Sequence, residues 1–274
     1  MMTNKQNLRR WAPALALLLA SAPAMSADTA QAAGSGEDLA LKLSNPIASL
    51  ISVPFQQNFD FGLGANGDGW SSRLNIQPVV PIRISNHWNM ISRTIVPIIY
   101  QNGVTAPGVD QFGLGDTVQS LFFSPRKGGK LIWGVGPVML VPTATNDALG
   151  GGKWGGGPTA VALTQSGGLT LGMLANHIWS FAGSDSRQDV SATFLQPFVS
   201  YTTKQATTYG WNLESTYDWK HERWLVPMNL TIAQLIKLGK QPAQIGIGGS
   251  YYLESPTGGA DWGLRLNFVL LFPA

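Results

Sequence analysis

Cysteine is absent from the 274 residues, which excludes a disulfide scaffold, a thiolate nucleophile and a thiolate metal site. Charge is scarce too. Only 12% of the side chains are Asp, Glu, Lys or Arg, about half the share of an ordinary soluble domain. No run of about 18 or more uninterrupted apolar residues occurs, so spanning helices are not expected. The 32 Gly and 17 Pro would break long helices repeatedly. A cytosolic helical protein is therefore set aside. What the chain does have is aromatic surface: 10 Trp, 6 Tyr and 11 Phe.

Residues 1–26 carry Lys5, Arg9 and Arg10, then the apolar run Trp11 to Ala20, then the small-residue stretch from Ser21 to Ala27. A positive n-region, a short apolar h-region and an Ala-x-Ala-like site are the parts of a secretory signal peptide. This segment holds three of the 18 basic side chains and none of the 15 acidic ones, so the +3 formal charge belongs to it. The remaining chain is balanced, and a nucleic-acid partner has no support. Export without a helical anchor leaves a soluble envelope protein or a bacterial outer-membrane β-barrel.

Strand periodicity favours the barrel. At the C-terminal end Trp262, Leu264, Leu266, Phe268, Leu270 and Phe272 share one face, against Asp261, Gly263, Arg265 and Asn267. Tyr209, Trp211, Leu213, Tyr217 and Trp219 likewise oppose Gly210, Asn212, Glu214, Thr216 and Asp218. A soluble sandwich also alternates, but its polar face collects Lys and Glu. Here that face is mostly Gly, Ser, Thr, Asn and Gln, which suits a confined lumen, while aromatics at the strand ends suit membrane interfaces. The reading is all-β: a transmembrane antiparallel β-barrel of about twelve strands in a Gram-negative outer membrane, over residues 51–274. The predicted strands run at about 51–61, 70–84, 88–101, 111–124, 130–142, 154–165, 168–182, 188–203, 207–219, 223–238, 241–254 and 260–273. Residues 27–50 form a periplasmic N-terminal segment, where Leu39, Leu43, Ile47 and Leu50 recur at helical spacing and predict a short helix or plug over Glu37–Leu50.

The connections alternate between tight turns, such as Ser166-Gly167 and Gly239-Lys240, and longer Gly/Asp-rich loops, such as 102–110 and 143–153. Arg83, Arg126, Lys127, Lys130, Lys204, Lys237 and Lys240 sit at the tight turns; most acids sit at the long loops. Short periplasmic turns and longer outer loops are the pattern of such barrels, which predicts a basic inner rim. Pro78, Pro81, Pro97, Pro137, Pro197 and Pro227 fall inside predicted strands, where each removes a ladder donor. They are expected at bulges or non-hydrogen-bonded positions, with the alternation slipping by one residue near Pro78 and Pro97.

The runs NPIASLISVPFQ (Asn45–Gln56), LNIQPVVP (Leu74–Pro81), WNMISRTIVPIIYQ (Trp88–Gln101), GLGDTVQSLFFSP (Gly113–Pro125) and the Gly-rich Gly134–Pro158 stretch resemble the outer-membrane family named for the meta-pathway of phenol degradation. LQPFVSYTT (Leu195–Thr203) and DWGLRLNFVLLFP (Asp261–Pro273) extend the resemblance over nearly all of the chain beyond Asp38. Members are commonly labelled transporters, some under the vertebrate-peptide name neuromedin U. The resemblance implies a barrel associated with hydrophobic or aromatic compounds, with no agreed substrate and no catalytic residues to transfer.

Chemical motifs are few. His87, His177 and His221 share no ligand spacing, so neither metal nor cofactor is expected. The stretch Gly150–Gly157 lacks the first Gly and the Ser/Thr of a phosphate-binding loop and reads as a flexible outer loop leading into a strand. No Gly-x-Ser-x-Gly is present, and no local Ser/His/Asn cluster resembles that of the outer-membrane phospholipases. What remains is the set of lumen candidates Arg73, Asn75, Gln77, Arg93, Gln196, Asn212, Glu214, Asp218, Arg265 and Asn267. Charges inside a barrel must pair or meet water, so these side chains either stiffen a closed lumen or constrict a pore. The function expected is passive passage of small, hydrophobic or aromatic solutes. The expected partners are the solute, outer-membrane lipid and, through the C-terminal strand, the barrel assembly machinery. The alternatives are a structural or surface-interaction barrel with a filled lumen and, less favoured, a lipid-modifying enzyme.

Overall fold

A computed structural model describes residues 29–127 and 129–272, with side chains from residue 36 onward. The predicted signal peptide and Pro273 and Ala274 lie outside the described residues. A helix, α1 (Thr29–Leu43), is followed by fifteen strand segments. The first half of the barrel is β1 (Ile51–Leu63), β2 (Gly69–Ile76), β3 (Val79–Arg83), β4 (Trp88–Asn102), β5 (Asp110–Leu114), β6 (Thr117–Pro125), β7 (Ile132–Val141) and β8 (Lys153–Ser166). The second half is β9 (Leu169–Gly183), β10 (Ser191–Thr202), β11 (Thr207–Leu213), β12 (Ser215–Asp218), β13 (Arg223–Leu238), β14 (Gln241–Glu254) and β15 (Trp262–Phe272).

Three pairs, β2/β3, β5/β6 and β11/β12, are halves of single crossings, so the barrel has twelve antiparallel strands. It closes where β1 pairs β15, Ile51 opposite Phe272 through Phe61 opposite Trp262. Closure leaves no unpaired sheet edge, the condition for a sheet to cross hydrocarbon. The twelve crossings coincide with the twelve predicted segments to within a few residues at each end.

Proline explains the three interruptions. In a hydrogen-bonded antiparallel pair each residue both donates and accepts. Gln77 N–H donates to Pro54 (2.8 Å), Gly115 to Pro97 (2.9 Å) and Glu214 to Pro227 (3.0 Å), but no proline can donate back. The ladder therefore lapses opposite each. The slip expected near Pro78 is absent: Asn75 faces Pro97 and Val79 faces Arg93 in one unbroken register. Near Pro97 it is present, but on the neighbouring strand. There Gln111 pairs Gln101 while Val118 pairs Ile95, so the alternation reverses between β5 and β6. Where Pro137 faces Pro158, flanking glycines allow close approach; a Cβ on Gly136 or Gly157 would lie 1.9 Å from the carbonyl oxygen of Leu121 or His177.

The N-terminal segment departs from expectation. The helix ends at Leu43 instead of continuing to Leu50, because Pro46 cannot continue it and disfavours helical backbone at Asn45. Asn45 Oδ1 instead accepts the Ile47 N–H (3.0 Å). The apolar positions keep their inward role on a turn: Ile47 packs with Ile91, Phe122, Val161 and Leu163, and Leu50 with Val269 and Leu271 beneath Leu39 and Leu43. The stretch Gly150–Gly157 runs from loop into strand as expected, and the loop part is pinned. Lys153–Gly157 belongs to β8, and Asp116 ties the preceding loop down by accepting the N–H groups of Gly151 (2.6 Å) and Ala144 (3.2 Å). Arg187 caps the same loop by donating to the Asp147 carbonyl at 2.6 Å.

Alternation along β15 is strict: Leu264 and Leu266 are 46% exposed and Arg265 between them 6%. Aromatic pairs ring the two rims, Trp88 on Trp133 near the short turns and Phe61 on Trp262, Trp70 on Tyr100 and Tyr217 on Trp219 near the long loops. Such a surface suits lipid and not water. Replacing Leu266, midway along β15, with Arg is expected to cost about 2–4 kcal/mol in a bilayer; on a water-facing surface it would be nearly neutral. Denaturant titration in phospholipid vesicles measures the difference.

Candidate functional site

The inward faces of the strands enclose a lumen with a central cavity of about 480 Å³. A cavity of about 190 Å³ lies toward the long loops. Two more, of about 280 and 180 Å³, flank residues 43–46 toward the short turns.

The best-tied charge in this lumen is Arg265, which projects from β15. Its guanidinium forks onto Glu214, with both N···O distances 2.9 Å, and its Nε donates to Asn58 Oδ1 at 2.7 Å. A bidentate, charge-assisted contact is the strong form of this interaction. Glu214 is available because it occupies the break opposite Pro227, between β11 and β12. The break opposite Pro54 likewise holds Gln77, whose Oε1 accepts from Arg93 at 3.0 Å. Gln77 in turn donates to Gln56, and Gln56 to Asn58, both at 3.4 Å. A single chain of polar side chains thus links Arg93, Gln77, Gln56, Asn58, Arg265 and Glu214. Nearer the long loops Tyr252 donates to Asp60 (2.8 Å), and Asn229 bridges Asn212 (2.8 Å) and Ser250 (2.6 Å).

Of the ten sequence candidates, Asn75, Gln77, Arg93, Gln196, Asn212, Glu214, Arg265 and Asn267 border the central cavity. Arg73 borders the cavity toward the long loops. Asp218 stands apart at the long-loop rim, accepting from His221 Nδ1 (2.6 Å) with Arg223 at 3.7 Å, and borders none of these cavities. Sequence reasoning missed Gln56, Asn58 and Asp60, although they alternate with Phe55, Phe59 and Phe61 along β1. It also missed an apolar wall of Ile95, Val118, Leu174, Ile178 and Phe194, because the inward face was sought as polar. His177 points outward, its ring centroid 4.0 Å from that of Trp179 and its Nδ1 2.7 Å from Thr193 Oγ1. At the rim, a hydrogen bond from Lys153 (3.1 Å) holds the Asp189 carboxyl below the usual carboxylate range. That contact persists at neutral pH and is lost only as the pH falls through the lowered value.

An outer membrane channel from Pseudomonas putida F1 superposes with a TM-score of 0.63, over 81% of this chain and 94% of that one, at 17% identity. The two share a fold. The NanC porin aligns over 82% of this chain and all of that one at 12% identity and a TM-score of 0.47, and the KdgM porin, in complex with oligogalacturonate, over 81% and 99% at 10% identity and 0.44; at that distance they carry no argument. No family model and no curated sequence matches the chain.

Replacing Glu214 with Gln leaves Arg265 buried without its countercharge. The expected loss is at most about 3–5 kcal/mol, reduced by whatever water the cavity admits. The Glu214→Leu/Arg265→Met double variant, with no orphaned charge, should recover most of it. Thermal unfolding in detergent of Glu214→Leu, Arg265→Met and the double variant reads the cycle, with Glu214→Gln alongside.

Proposed function

We propose that the chain is a narrow outer-membrane channel through which small solutes pass passively. The observation that carries the reading is the set of cavities running along the lumen, with Arg93 bordering three of the four. A lumen of twelve strands is wider than one that side chains fill and narrower than an open porin. Residues 41–50 narrow the short-turn end, with Ser49 held by Asn89 (3.0 Å) and Leu41 by Gln165 (2.9 Å). The resemblance to the phenol-degradation family supports hydrophobic or aromatic solutes as cargo. On this reading residues 1–26 direct export, the basic short-turn rim faces the periplasm, and β15 is the strand offered to the assembly machinery.

Seating of Ile47 and Leu50 in the lumen is the observation that favours the second reading, a filled structural barrel. A lipid-modifying enzyme is less well supported. On the outward face Ser191 Oγ lies 3.4 Å from His177 Nε2, but the other ring nitrogen meets Thr193 and no carboxylate, and acyl transfer needs that third group.

Planar-bilayer recording separates the readings. Small resolved conductance steps are expected, and larger ones from a chain lacking residues 29–50. Silence of both chains, with heat-modifiable migration on gels showing the barrel intact, would remove the channel reading. A tag inserted at Asp147 should be reached by antibody from outside intact cells.

A further inference from the structure

We infer that the central cavity is a binding station for small organic monoanions with an apolar body, aromatic or branched aliphatic carboxylates, with Arg93 as the anion-binding residue. This rests on the channel reading and names its substrate class.

Two arginines face the cavity, Arg265 buried and Arg93 half-buried, and their partners differ. Arg265 is spent on Glu214 and Asn58. Arg93 donates a single side-chain hydrogen bond among the described residues, to Gln77, and has no carboxylate within ion-pair distance among them. A guanidinium carries five N–H donors, so most of those on Arg93 remain for a guest. A half-buried cation hydrogen-bonded to one neutral side chain is costly to keep, and an anion relieves that cost with the bidentate geometry that arginine favours.

The walls supply the other half of the specificity. Ile95, Val118, Leu174, Ile178 and Phe194, from the contiguous arc β4 to β10, form a mainly apolar side, interrupted by Ser120, Asn176 and Gln196. Gln56, Asn75, Asn212 and Asn267, from the arc β11 to β2, form an amide side. Arg93 sits at the seam, two residues from Ile95. A hydrated inorganic ion has no use for the apolar wall, and a neutral hydrocarbon none for the guanidinium. A volume of about 480 Å³ lies within the range of small-molecule sites. Cations are disfavoured, since the four cavities present Lys42, Arg73, Arg93 and Arg265 against Asp60 and Glu214.

The test uses the full mature chain and three probes of one shape: benzoate, benzyl alcohol and benzylammonium. Benzoate should block the potassium chloride current and should bind to detergent-solubilised protein by calorimetry, with the other two much weaker. Arg93→Gln should weaken benzoate binding by about tenfold or more, the scale of one lost charge-assisted contact; Arg93→Lys should recover part. Equal effects of the three probes, or an unchanged benzoate response in Arg93→Gln, would overturn the assignment and leave the channel reading standing. Should wild type prove silent in bilayers, the calorimetric comparison still decides: binding that needs Arg93 supports the station, and its absence removes it.

Discussion

Inside a bilayer no water is available to a backbone N–H, so each must find a partner in the chain. That requirement makes β1 close on β15. It also gives a proline at a hydrogen-bonded position in the wall a consequence, because a residue that accepts but cannot donate leaves its opposite with half a ladder contact. Pro54, Pro97 and Pro227 sit on continuous strands, and the strands opposite them lapse at Gln77, Gly115 and Glu214. Two of those lapses hold the side chains that engage Arg93 and Arg265. The wall's weak points in hydrogen bonding are thus where its polar machinery is anchored.

The lumen applies the same accounting to charge. Arg265 and Glu214 reach diagonally across the inner faces of β13 and β14, where inward-facing Gly246 and Gly248 carry no side chain. Their fork satisfies both ions, and the amides from Asn58 to Gln77 extend the network to Arg93. Two residues of one type, facing one cavity, therefore have different standing: one is a fixed part of the wall and the other keeps donors free.

Apolar residues enter the barrel for a related reason. The arc from β4 to β10 presents Ile91, Phe122, Val161 and Leu163 inward, and these need apolar contact. Ile47, on the turn that Asn45 and Pro46 create after α1, supplies it. On the opposite arc Leu50 meets Val269 and Leu271 of β15, so the segment is anchored on both sides of the short-turn mouth, with two of the cavities beside it.

Strand number, boundaries and face alternation were legible in the sequence, because dyad alternation is a local property and turn residues mark its limits. The polar members of the inner wall were legible where parity ran unbroken, as along β15 and β11. Register was not: the slip beside Pro97 falls on β5/β6, since pairing decides which of two strands absorbs a missing donor. The helix end was misjudged because spacing at 39, 43, 47 and 50 is the same whether apolar residues line a helix or turn into a lumen. Which arginine is paired depends on Glu214, 51 residues from Arg265 along the chain. Local chemistry could list the charges, but only closure of the barrel brings strands distant in sequence face to face and so sets which charges meet.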